Sequence, residues 1–249
     1  MPQAATAITI LEQLLAKVGV AHMPYWVTPN VVLALAGARA YCDGVFWGPP
    51  QFVDGWQQEI DADIAELQKI TGVYMADSGV QEASPTEMHA SFDLVFRSGL
   101  DYVLSQTSLA RFEPATIAQP TPDKLMDALI TSIKQRSSKT YGPEDLSHMA
   151  FGVLVGYPDA AITGMVDAPD PVVDPFAEHT IEADIRGAAY YPCPQPVYDY
   201  PRHLVNDPGI QAHERLWSAI LKDFYTSEFH QKLAGNPAFQ AKLVALDMD

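Results

Sequence analysis

Glu182, Asp184 and Arg186 alternate with Ile181, Ala183 and Ile185. In an extended strand that spacing sets two carboxylates and a guanidinium on one face and the apolar residues on the other. Carboxylates beside a guanidinium can hold a polar substrate or move a proton. Asp184 and Arg186 are therefore candidate catalytic residues, joined by His203 if the chain folds it over the same cleft. A solvated sheet face has the same pattern.

A second group follows at once. Between Tyr190 and His203 the chain reads YYPCPQPVYDYPRH. Prolines stiffen the backbone toward extended polyproline II geometry, and tyrosines add rigid amphipathic surface. Such a loop can line a ligand pocket or dock a partner, with Tyr191 and Tyr198 as binding candidates. It can also pack over the core as a long connection. The third feature is Arg39, alone in a segment of Val, Leu and Ala. It must reach water or a carboxylate. It either pairs with Asp43 four residues on or faces a pocket as an anion-binding anchor.

The common catalytic templates are missing. The sequence has no Gly-x-Gly-x-x-Gly, no phosphate-binding Gly-x4-Gly-Lys-Ser/Thr and no Gly-x-Ser-x-Gly elbow. His213-Glu214 opens like a zinc-binding helix, but the position of the second histidine is Trp217, which cannot ligate a metal. No other histidine pair has ligand spacing, so the sequence proposes no metal site and identifies no cofactor. Cys193 lies between Pro192 and Pro194, where no proline amide can stabilise a thiolate. Cys42 reads as core.

Composition limits the partners. Lys and Arg number 15 against 31 Asp and Glu, and the net charge is −16. The acidity is a shortage of bases spread along the chain. Phosphate backbones are gripped by clustered Lys and Arg, so nucleic acid is not expected. Anionic lipid is disfavoured for the same reason. The longest uncharged apolar runs, Val31–Ala38 and Met149–Pro158, fall short of the about 18 residues that span a bilayer. The first residues carry Glu12 and no basic stretch, unlike a signal peptide. Two cysteines are too few for a disulfide framework. A cytoplasmic location follows as an expectation.

The elements that must position these residues are marked by proline. Thr28-Pro29, Ser84-Pro85, Thr121-Pro122, Asp207-Pro208 and Asn236-Pro237 each place a capping side chain before a proline suited to the first helical turn. Helices are expected over 6–18, from Pro29 to about Tyr41, over 50–70, 122–136 and 144–155, from Asp159 to Val166, from Pro208 to about Leu233, and from Pro237 to about Ala245. In 50–70 the apolar stripe is Val53, Trp56, Ile60, Ile64 and Leu67. Glu59, Asp61, Asp63 and Glu66 read as lying off it. A strand is expected near Val73–Asp77 and another over Thr180–Tyr190. Residues 84–106 are ambiguous. The capping box Ser84-Pro85-Thr86-Glu87 predicts a short helix to about Ala90, and like residues facing like predict a hairpin of 92–97 with 101–106. Gly152 and Gly156, four apart, leave a helix face open to close approach.

The expected fold is a predominantly helical α+β domain with a small antiparallel sheet, occupying 1–249 as one globular unit. The expected function is the binding of a small molecule or a protein. The alternative is an enzyme built on an Asp184/Arg186/His203 cleft. The oligomeric state stays open.

Overall fold

The computed structural model describes residues 1–73, 75–84, 87–106, 152–153, 155–161, 204 and 206–246. The expected elements over 122–136, 180–190 and most of 144–155 lie outside them. The described fold is α+β and predominantly helical, with a small three-stranded antiparallel sheet.

Helix α1 (Ala4–Val18) buries Ala4, Ala7, Leu11 and Leu14, a stripe of threes and fours, and stops at Gly19 with φ 86°. A 3₁₀ segment, Val20–Tyr25, turns the chain into α2 (Pro29–Leu35). The sequence carried α2 on to Tyr41, and it is six residues shorter. Gly37 adopts φ 80°. Its amide bonds Ala34 O and that of Ala38 bonds Leu33 O, a Schellman closure that a left-handed glycine makes easy. An all-apolar run had hidden this stop. Strand β1 (Tyr41–Gly48) begins where the helix was expected to end.

Helix α3 (Pro50–Thr71) matches its expected stripe, with Val53, Trp56, Ile60, Ile64 and Leu67 all buried. It covers one face of the sheet. Trp56 presses on Gly48, where a Cβ would stand 2.5 Å from the indole, so only glycine fits. Asp63 is buried too, contrary to the expectation that its charge would face water. Asp63 is three residues from Ile60 and four from Leu67, so helical geometry places it on the stripe.

The region 84–106 departs most from expectation. There is no helix at 87–90 and no hairpin of 92–97 with 101–106. Instead β2 (Met75–Ser84) and β3 (Glu87–Val95) pair antiparallel, and Arg97–Gln106 is helix α4. Ser84 and Glu87 of the apparent capping box pair across the two strands. β3 is the centre of the order β1-β3-β2. Both its edges are therefore bonded, and Ala90, Phe92 and Leu94 alternate into the core. A hairpin with the preceding strand and a second, long-range partner in β1 together outweigh a local cap. In α4, Leu100 and Val103 are buried at helical spacing.

The face of the sheet away from α3 carries an unusual row. Asp43 of β1 stands opposite Asp93 of β3, and Asp77 of β2 opposite the same Asp93. Tyr41 Oη donates to Asp93, and Asn30 Nδ2 donates to Asp43 at 3.3 Å. Asp77 accepts from the amide of Ser78. Like charges on facing strands repel. Asp77→Asn keeps the acceptor oxygen and removes one charge. It is expected to raise Tm by about 1–2 °C, from roughly 0.5 kcal/mol of relieved repulsion. Thermal melts in 0.05 M and 1 M NaCl check this, because the gain must shrink in high salt.

The C-terminal part closes the core. Helix α5 (Pro208–Tyr225) starts as expected. Asp207 caps it by accepting from the amides of Gly209 and Ile210. Ile210, Trp217, Ile220, Leu221 and Phe224 are buried as their spacing predicts. The expected single helix to Leu233 is broken at Thr226. Ser227 takes the amide of His230 and starts a separate helix, α6 (Glu228–Ala234). Helix α7 (Pro237–Leu246) packs on the 3₁₀ segment and the end of β1. Trp26 stacks on Phe92 and Tyr25 meets Phe46 edge-on, each at 5.0 Å between centroids. This aromatic layer joins the sheet to the helices.

Candidate functional site

Arg39 lies in the short connection from α2 to β1 and is 2 % exposed. Its Nε donates to Val155 O at 2.7 Å and its Nη1 to Asn30 Oδ1. The guanidinium carbon sits 5.4 Å from the Trp217 ring centroid. Asp43, the expected partner, is reached through Asn30. Gly156, at φ 81°, and Gly99 press on this turn. A Cβ on Gly99 would collide with Arg39 O, and one on Gly156 would stand 2.9 Å from Ala38 O. The described contacts thus tie four separate segments together. Cys42, beside this turn, is fully buried, and burial pushes its thiol up despite the nearby Arg39 charge. It is unsuited to nucleophilic chemistry. Asp184, Arg186, His203, Tyr191 and Tyr198 lie outside the described residues.

A second polar cluster is centred on α3. Glu59 and Asp63 are four apart and project to the same side of that helix. Asp63 accepts from Trp26 Nε1 and from His22 Nδ1, each at 2.8 Å. Burial raises the Asp63 carboxyl, and these two bonds offset only part of that rise. Glu59 accepts from Tyr25 Oη at 2.7 Å and pairs with Lys242 of α7. Burial works against its charge as well. Lys242 and the Tyr25 bond outweigh it and hold the carboxyl below its ordinary value. The Lys242 ammonium also lies over the rings of Tyr25 at 4.8 Å and Trp56 at 5.9 Å. Helical arithmetic on α3 could have found Asp63. The partners from 22–26 and 242 left no signal, because they come from distant parts of the chain.

A third feature is concave. A groove of about 540 Å³ runs between α1 and α6. Leu15, Val20, Phe229 and Leu233 form an apolar floor. Glu12, Glu228, Lys232 and Asn236 form the rim. Glu228 and Lys232 pair at 2.7 Å across one turn of α6. Glu12 has no ion-pair partner among the described residues. Among those residues no group of His, Cys, Asp and Glu is arranged to hold a metal ion, and no helix is long and apolar enough to cross a membrane.

The fold and these features define a predominantly helical α+β protein with an open groove on its helical side. Comparison with protein-family models, with curated proteins and with solved structures finds no match to this chain.

Proposed function

We propose that this chain is a binding protein for a small amphipathic molecule carrying a positive charge, held in the groove between α1 and α6. The observation that carries the proposal is the pairing of an apolar floor with a rim that holds two carboxylates, Glu12 and Glu228, against one ammonium, Lys232, which pairs with Glu228 and feels Glu12 at longer range. The groove volume falls in the about 300–1,000 Å³ range of small-molecule sites. An apolar body would cover Leu15, Val20 and Phe229, and an ammonium head would meet Glu12. The net charge of −16 favours the approach of cations over anions. The same charge argues against nucleic acid as a partner. A cytoplasmic setting is consistent with two cysteines in 249 residues, of which Cys42 is a free, buried thiol. The enzyme reading would rest on Asp184, Arg186 and His203, which lie outside the described residues.

Native mass spectrometry of the purified protein, followed by thermal melts with alkyl and aryl ammonium salts, tests the proposal. A ligand at a hundred times its Kd adds about 2.7 kcal/mol, which for a chain of this size raises Tm by about 5–10 °C. Val20→Trp fills the groove and is expected to abolish the shift. Glu12→Gln is expected to weaken binding about fivefold, the loss of one exposed charge contact of about 1 kcal/mol. Shifts absent with all such salts, or undiminished in Val20→Trp, would overturn the proposal.

A further inference from the structure

We propose that Tyr25, Trp56 and Glu59 form a second binding site, an aromatic–carboxylate cage for an ammonium group, which the protein's own Lys242 fills in the observed state. The geometry is that of ammonium recognition. The Lys242 nitrogen stands within 6 Å of two ring centroids, the range in which the negative face of a ring attracts a cation. Glu59 adds the counter-charge, and Tyr25 orients it by donating its hydroxyl proton to Oε2, the oxygen that also meets Lys242. The Lys242 side chain is 13 % exposed and that of Glu59 35 %. The rings are buried, Tyr25 fully, so the wet edge of the cage lies at Glu59 and another cation gains the ring faces only as Lys242 leaves.

The occupant arrives on a short element. α7 has ten residues, and among its described residues only Phe239 and Leu243 are buried. Val244 is 65 % exposed. A helix anchored by two apolar residues opens more readily than one with a full stripe. Lys242 then acts as an intramolecular ligand at high effective concentration, and it lowers the apparent affinity for any external ammonium by the fraction of time the cage is closed. The ligand class is a compact ammonium or methylated ammonium group on a narrow stem, such as the end of a lysine or choline-like molecule. Methylated nitrogen suits the rings because it is less strongly hydrated.

The site shares no residue with the α1–α6 groove, although Val20 and Tyr25 lie on one 3₁₀ segment, and it is tested with that groove blocked. Full-length Val20→Trp and Val20→Trp/Lys242→Ala are titrated with tetramethylammonium chloride against sodium chloride at equal ionic strength, by calorimetry and by melting. The double variant is expected to bind saturably, with an affinity at least about tenfold above that of the single variant. Adding Glu59→Gln is expected to remove the response. Should Lys242→Ala not fold, hydrogen exchange on the wild-type chain replaces it. Tetramethylammonium, and not sodium, is expected to speed exchange of the 237–246 amides several-fold by competing with Lys242. Equal affinities with and without Lys242, a response that survives Glu59→Gln, or unchanged exchange in α7 would each overturn the proposal.

Discussion

Arg39→Ala is expected to lower the stability of this protein by about 3–5 kcal/mol, the cost of two buried acceptors left without a donor together with the void the side chain leaves. Asn30 Oδ1 and Val155 O would lose their donor in the interior. An unsatisfied buried acceptor costs about 1–3 kcal/mol. The stem of Arg39 also fills space beside Gly156 and Trp217, so a void adds to the loss. For a chain of 249 residues the change lowers Tm by about 10 °C. Arg39→Lys is expected to recover only part, because a single ammonium cannot reproduce the planar fork that spans two acceptors and stacks on an indole. Urea unfolding of both variants, followed by tryptophan fluorescence, measures the difference. A loss below about 1 kcal/mol for Arg39→Ala, the scale of an exposed ion pair, would show that the guanidinium is not a structural tie.

Acid is expected to have the second large effect. His230 is 1 % exposed, and its ring lies among those of Phe224, Tyr225 and Phe239. Neither ring nitrogen makes a well-formed hydrogen bond among the described residues, the Tyr225 backbone being near enough only for a weak interaction. Burial pushes its pKa down to about 4, against a small opposing pull from the Tyr225 backbone. His213 is pushed down to about 4 as well, by burial first and then by the charge of Arg39.

A histidine depressed in the folded state takes its proton more readily when unfolded. Its contribution to stability is whole above about pH 6.5 and is lost as pH falls toward 4. A drop of about 2.5 pH units corresponds to about 3 kcal/mol for His230 alone. Asp63 works in the opposite direction, since its raised carboxyl favours the folded state as acid is added. His230→Phe removes the buried nitrogens and keeps a ring among rings. At pH 7.5 it is expected to leave stability within about 1 kcal/mol of wild type. At pH 4.5 the variant should be the more stable by about 2–3 kcal/mol. Urea midpoints across that range decide the matter. Parallel pH profiles for variant and wild type would locate the acid sensitivity elsewhere.

These two sites show what kind of feature is hard to read from a sequence. Arg39 stood out as a lone charge in an apolar segment, and that signal was sound. Its partners were not legible, because Asn30, Val155 and Trp217 are nine to 178 positions away. His230 gave no signal, since nothing local distinguishes a caged histidine from a solvated one. Asp63 was legible in principle. Its spacing from Ile60 and Leu67 placed it inward, and only the habit of turning charges toward water concealed it. The expected hairpin of 92–97 with 101–106 was chosen from matched residues in neighbouring segments. The pairs actually formed are with the preceding neighbour, 75–84, and with the distant 41–48.

Short-range features were therefore determined by the sequence itself. The stripe of α3, the capped start of α5 at Asp207-Pro208, the start of α7 at Pro237 and the predominantly helical α+β class all follow from interactions spanning one helical turn or one strand pair. Such interactions depend on residues that are close in the chain, so their spacing records them. The tertiary structure decided that β1 flanks β3, what neutral groups hold Arg39, and that Lys242 meets Tyr25, Trp56 and Glu59. Each of those outcomes compares the packing and hydrogen bonding of distant segments. Local preferences of a few tenths of a kcal/mol give way there to contacts worth several.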